Sequence, residues 1–300
     1  QEQINFTRSN EEEADTVGIE MLAEAEFDPR AMPVFFERLT HASRLYDAGI
    51  PEMLRTHPVT TNRIADALGR AEKHAYRQYP SNLRFYLTRE ALRVRQFKEP
   101  ADAVKHFASG LEEGRHLNQE AHEYGHALAL IRNLEYAKAQ TILDRLLKAN
   151  GAQIEYVLAS AELAKLRKNP QQALRSLETY YSLMPEHYAL SVAYIETLIE
   201  AGQYTKARKV AAQTISLRPD DPRLYRLVGR LEKLDHNPAE SHRMLAEAYV
   251  AEGRLQPATQ QLEIALREAD KDDFHLLSRL ESRLTQLREA IKREKEDDKP

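Results

Sequence analysis

A chain of 300 residues with 42% apolar side chains can bury at least one core, which excludes a natively disordered protein. Its 43 Lys and Arg are interspersed with 47 Asp and Glu, a formal net charge of −4, so no basic field exists to attract a nucleic-acid backbone. Zero cysteines exclude disulfides, thiolate metal sites and a cysteine nucleophile, and no apolar run approaches the roughly 18 residues that cross a bilayer.

Ten glycines among abundant Ala, Leu, Glu, Arg and Gln favour helices over a strand-rich fold, which needs more turns. No secretory signal opens the chain. It begins with Gln1 rather than Met, and the expectation is a fragment or a processed product.

The first predicted helix starts at Glu11, capped by Ser9 or Asn10, with Glu12 or Glu13 closing the box. Its apolar stripe on a helical wheel is Ala14, Val17, Gly18, Met21, Leu22 and Ala25, with Glu12, Glu13, Glu20 and Glu24 pointing away. Glu11 falls between Gly18 and Leu22, and Asp15 lies one turn on at the stripe's edge. A carboxylate turned toward a core needs a cation, a metal or a set of donors. The plainer alternative leaves Glu11 in an exposed first turn, complementing the helix dipole.

From residue 78 a period of about 34 residues emerges. Alanines at 103, 137, 173, 207 and 258 each follow a loop, and Ala91, Gly125, Ala161, Ile195 and Ala246 stand twelve residues earlier, where two helices of a pair would touch. The last step, 51 residues, is one and a half repeats, as if one helix served two pairs. Pro185 and Pro219 end helices by withholding a donor. Leu276, Leu277, Leu280, Leu284 and Leu287 form a capping helix over Asp273 to Glu294 before a charged tail.

Period and residues, most clearly Tyr249, Gly253, Ala258 and Ala265, resemble the tetratricopeptide repeat over residues 80 to about 270. The plainer reading is a simple helical bundle. The expected fold is all-α: a tetratricopeptide-type α-solenoid over residues 78–300, preceded by a helical segment over residues 1–77.

That first segment also carries a resemblance. The string from Asn10 to Gly18, then Phe27-Asp28-Pro29-Arg30-Ala31-Met32, then Thr56-His57-Pro58 with Arg63, is similar to the C-terminal half of a zincin metallopeptidase domain of the HtpX and CAAX prenyl endopeptidase type. Three motifs in order make the match specific. In that family a helical His-Glu-x-x-His supplies two zinc ligands and the general base, and a later glutamate supplies the third. The resemblance places that third ligand at Glu11 and makes Asp15 a partner that orients a ligand. His57 is implied as an oxyanion stabiliser or an occupant of an open metal position, and Arg63 as an anchor for its loop or a contact to substrate. A structural histidine ahead of Pro58 is the alternative. The His-Glu-x-x-His expected upstream of Glu11 is missing from this sequence. Zinc therefore belongs to the complete protein, and this chain is expected to hold none at that site and to be inactive alone.

A literal His-Glu-x-x-His does occur at His122-Glu123-Tyr124-Gly125-His126. It lies after Glu11 rather than before it, inside the repeats. In the repeat register His122 and His126 face the groove with Gln119, Glu155, Leu158, Glu162, Lys165, Glu196 and Glu200, all expected to contact a bound polypeptide. The rival reading is a new metal site completed by Glu155 or Glu162.

With repeats behind the peptidase segment, the resemblance is to periplasmic members of that family that act in outer-membrane protein quality control. It implies unfolded or partly assembled proteins as partners, outer-membrane β-barrels and their assembly machinery among them. The alternative is a non-enzymatic interaction scaffold.

Overall fold

A computed structural model describes residues 2–45, 59–75 and 82–297, and these are helices and turns throughout. They divide into two compact units, residues 1–82 and 83–300.

The first unit holds α1 (Glu2–Glu24), α2 (Ala31–Leu45) and α3 (Thr61–Ala71). α1 runs straight through Ser9 and Asn10, so the predicted cap is not one; no Pro or Gly interrupts residues 2–10 to stop the helix there. Glu11 therefore sits inside the helix rather than in an exposed first turn. The buried face also differs from the predicted stripe. Asp15 and Ile19 are buried, while Ala14, Val17, Met21 and Ala25 are exposed. Ile19 packs with Phe36 of α2 and Ala67 of α3, and an ion pair to α3 draws Asp15 inward, so the docking partner overrides the wheel. Pro29 precedes α2, and Thr60 caps α3 by accepting from the Arg63 amide at 3.3 Å.

The second unit stacks helix pairs. They are α4 (Leu83–Gln96) with α5 (Pro100–Glu112), α6 (Gln119–Arg132) with α7 (Tyr136–Ala149), and α8 (Ile154–Leu166) with α9 (Pro170–Leu183). Next come α10 (Tyr188–Glu200) with α11 (Tyr204–Leu217) and α12 (Pro222–Leu234) with α13 (Pro238–Ala251), then α14 (Leu255–Glu268) and the capping α15 (Phe274–Asp297). Pro100, Pro170, Pro222 and Pro238 each open a helix, where the missing N–H would have no partner anyway. The Arg132 guanidinium closes the other end of α4, donating to the carbonyls of Val94, Phe97 and Lys98 at 2.7 to 3.1 Å.

The repeat is real, but its register in the second pair is two residues from the expected one. The fully buried contact residue is the fourth of each second helix: Ala103, Ala139, Ala173 and Ala207, all 0% exposed, whereas Ala137 is exposed. The loop between α5 and α6 has six residues (113–118), where the later connections between pairs have four, and the surplus shifts everything after it. Within pairs the turn is regular. Leu134, Lys168, Gly202 and His236 take left-handed φ values of 63, 60, 69 and 58° at intervals of 34 residues. Gly253 (φ 70°) follows only 17 residues after His236.

That half-step resolves the 51-residue interval: α13 packs along both α12 and α14, closing one pair and opening the next. Its fourth residue is Ser241, standing where the other pairs have alanine. Twelve residues upstream is Gly229, whose carbonyl accepts from Ser241 Oγ at 2.8 Å.

Cores of Leu, Ala, Val and Tyr run between the layers, with Tyr156 and Tyr194 the largest fully buried side chains. Repeat stacking of this kind covers the apolar face of each hairpin with the next.

Candidate functional site

In the first unit three charged side chains converge between α1 and α3. Arg63 donates from Nε to Asp15 Oδ2 at 2.8 Å and from Nη2 to Asp15 Oδ1 at 2.7 Å, a two-pronged fork. Its Nη1 lies 2.9 Å from Glu11 Oε2. The ring of Phe36 sits 5.1 Å beneath the guanidinium. The Asp15 hydrogen bonds hold Arg63 above its ordinary pKa against the opposing pull of burial. The four-residue spacing of Glu11 and Asp15 puts both carboxylates on one face of α1, and the α3 cap aims Arg63 at them.

Asp15 thus spends both oxygens on Arg63, and Arg63 in turn fixes Glu11. The cation that an inward carboxylate demands is Arg63. His57 lies outside the described residues. Zinc in a catalytic site takes three protein ligands. Among the described residues no three His, Asp or Glu are gathered to hold a metal, and Glu11 offers one carboxylate. The described side chains do not by themselves make a zinc site.

In the second unit the first helices of successive pairs lie side by side and present their outward positions on one face. Ion pairs stitch this face together. Lys165 Nζ bridges Glu162 at 2.9 Å and Glu200 of α10 at 3.4 Å, Arg223 of α12 reaches Glu196 at 3.3 Å, and Arg84 of α4 reaches Glu155 at 3.2 Å. Burial alone would lower the Lys165 pKa, but Glu162 and Glu200 outweigh it and raise it. Leu158 lies half-buried on the same helix.

The expected groove residues of α6 require correction. The two-residue register shift moves the equivalent positions from Gln119, His122 and His126 to Ala121, Tyr124 and Leu128. His122 is 1% exposed, packed on the Phe107 ring at 4.8 Å with His106 and His116 rings 6.0 and 5.8 Å away, so it lines no open groove. Burial depresses its pKa, as it does that of His106 and of the half-buried His126, whose charged neighbours are Glu135, Lys138 and Glu123. The two histidines of the zincin-like string thus lie against different elements. Gln119 is exposed and donates to Glu123 at 3.1 Å.

Sequence reasoning missed the cationic face of α12. Its signal was present in Arg223, Arg226, Arg230 and Lys233, spaced three or four residues apart and all exposed.

Comparison with known proteins now bears on both units. Residues 2–71 match the model of peptidase family M48, a zinc metallopeptidase family, and residues 165–231 match a tetratricopeptide repeat model. The chain therefore carries a segment similar to family M48 ahead of tetratricopeptide-type helix pairs. Over 97% of its length it is similar to the beta-barrel assembly-enhancing protease of Escherichia coli K12, at 28% identity over 290 residues. It is 30% identical over 241 residues, 80% of this chain and 50% of the relative, to a putative beta-barrel assembly-enhancing protease of Vibrio cholerae. A 60-residue stretch, 20% of this chain and 13% of the relative, is 45% identical to the mitochondrial metalloendopeptidase OMA1 of Danio rerio. The chain spans 59% of the length of the Escherichia coli relative.

Proposed function

We propose that this chain is part of a periplasmic zinc metallopeptidase with chaperone-like activity in outer-membrane protein assembly and quality control. In this reading the repeats hold unfolded or partly assembled clients. The observation that carries it is similarity that extends over both units, covering 97% of the chain, to proteins named for enhancing β-barrel assembly. A second support is physical: side-by-side first helices form a long face that can engage an extended segment without a preformed pocket.

Glu11 is the carboxylate that contributes a zinc ligand in the complete protein, with Arg63 and Asp15 holding it in place; the remaining ligands come from residues other than those described. By the same resemblance His57 and Arg63 take supporting roles in the reaction. Expressing the longer protein with Glu11→Gln and measuring bound zinc per chain tests this role: loss of zinc supports it, full retention refutes it. The client role is tested by adding the purified chain to a urea-diluted outer-membrane β-barrel protein and following light scattering. Suppressed aggregation is expected, and no suppression at a severalfold molar excess of the chain would defeat the reading.

A further inference from the structure

The face of α12 carries a charge pattern that neither the peptidase segment nor the general client role accounts for. Arg223, Arg226, Arg230 and Lys233 are all exposed on one stripe of the helix. Arg223 is engaged by Glu196 at 3.3 Å and Arg226 by Glu252 at 2.5 Å. Arg230 and Lys233 have no ion-pair partner among the described residues. The acidic residue of the same turn, Glu232, is buried on the opposite side and occupied by the Arg208 fork at 2.7 Å, so it does not neutralise the stripe. Like charges three and four residues apart on a helix repel one another, which leaves α12 with an unfavourable term until an anion covers it.

The surroundings say what kind of anion fits. Glu196 on the α10 side and Glu252 on the α13 side are each spent on an arginine of the stripe, so the unpaired positive charge is confined to the turn of Arg230 and Lys233. A polyanion of continuous charge, such as a nucleic-acid strand, would find only neutralised ion pairs beyond that turn. A polypeptide with a short acidic stretch would not. The Tyr249 ring, with Arg226 at 5.9 Å and Arg254 at 4.8 Å over it, adds an apolar surface beside the charges for a neighbouring side chain.

We propose that the exposed face of α12, centred on Arg230 and Lys233, takes an acidic segment of a bound polypeptide and so sets the register of that polypeptide along the repeats. The proposal rests on the client-binding reading of the repeats and specifies which chemistry is read and where. The neighbouring face of α10, where Glu196 and Glu200 are already spent on Arg223 and Lys165, offers no such unpaired cations, so an acidic stretch placed one repeat out of register loses its partners.

The test uses the full chain and three fluorescein-labelled twelve-residue peptides: one rich in Asp and Glu, its Asn and Gln counterpart, and one rich in Lys. Fluorescence anisotropy should show the acidic peptide binding in a salt-sensitive manner and the other two more weakly. The pair R230E/K233E should weaken the acidic peptide at least about tenfold, and R230Q/K233Q by less. The pair K105E/K209E, on exposed positions of α5 and α11, should leave it unchanged. Circular dichroism melting confirms that each variant is folded. Three results each overturn the proposal: wild-type chain that does not prefer the acidic peptide, full affinity in R230E/K233E, or tighter binding of a single-stranded oligonucleotide than of the peptide. A urea-unfolded outer-membrane barrel protein, tested separately, tells the two failures apart. If it binds wild type and R230E/K233E alike, only the α12 assignment fails; if it does not bind wild type, the client reading itself fails.

Discussion

The guanidinium of Arg63 grips Asp15 with both prongs, Nε at 2.8 Å and Nη2 at 2.7 Å, across 48 residues of chain. Asp15 is 4% exposed, so this partner replaces the water it has lost. Removing one member of a buried pair strands the other. Arg63→Ala should therefore destabilise the first unit by about 3 kcal/mol. Arg63→Lys should recover part of that loss, because it keeps the charge but not the fork. Hydrogen exchange of the α1 and α3 amides reads the effect, and unchanged protection in Arg63→Ala would contradict it.

Gly125 is where α6 comes closest to its neighbours. A Cβ there would sit 2.4 and 2.8 Å from ring carbons of Phe107 and 3.0 Å from Cβ of Glu90. Helix propensity favours alanine over glycine by about 1 kcal/mol, but the overlap is with a buried ring that has little room to move. Gly125→Ala should be net destabilising by about 1 to 2 kcal/mol in chemical denaturation. A stabilised variant would show that the α5–α6 packing is looser than described.

Acidification should weaken the second unit. His122, His106 and His126 all have folded pKa values below the ordinary imidazole value, with burial the leading cause. The unfolded chain then binds more protons than the folded one once the pH drops below about 6.5, so stability falls with falling pH. Charged groups facing His122 and His106 include Glu90, Arg93 and Arg115; Glu90 opposes the depression and the two arginines assist it at His106. Melting temperatures between pH 7.5 and 5.5 should decline, and His122→Leu should flatten the decline. An equal slope in that variant would assign the dependence elsewhere.

The turn position inside each pair supplies a matched comparison. Lys168 and Gly202 occupy equivalent left-handed turns, at φ 60° and 69°. A residue with a Cβ is strained there by about 1 kcal/mol. Gly202→Ala should cost about that much, while Lys168→Gly should gain somewhat less, since glycine also loosens the unfolded chain. Urea midpoints check both, and a loss of stability in Lys168→Gly would mean that its side chain does more than turn the chain.

Much of the architecture was legible in the residues. The 34-residue period, the proline starts and stops and the leucines of the last helix report local backbone preferences and side-chain size, which are written into the chain directly. The slip in the second pair shows the limit. Ala137 and Ala139 are both alanines, and only a count of the loop at 113–118 reveals which of them lies against its partner helix. From that slip followed the misplacing of Gln119, His122 and His126. Conversely, the demand of an inward Glu11 for a cation was visible, while the identity of that cation as Arg63 was not.

By itself the sequence determined that this protein is helical and repetitive, because propensity and periodicity are properties of neighbours along the chain. Tertiary structure alone decided which face of α1 is buried, that α13 serves two pairs, and that the cations of α12 stand together while His122 is sealed from solvent. Those outcomes depend on which helix packs against which, an energy shared between residues distant in sequence and therefore absent from any local pattern.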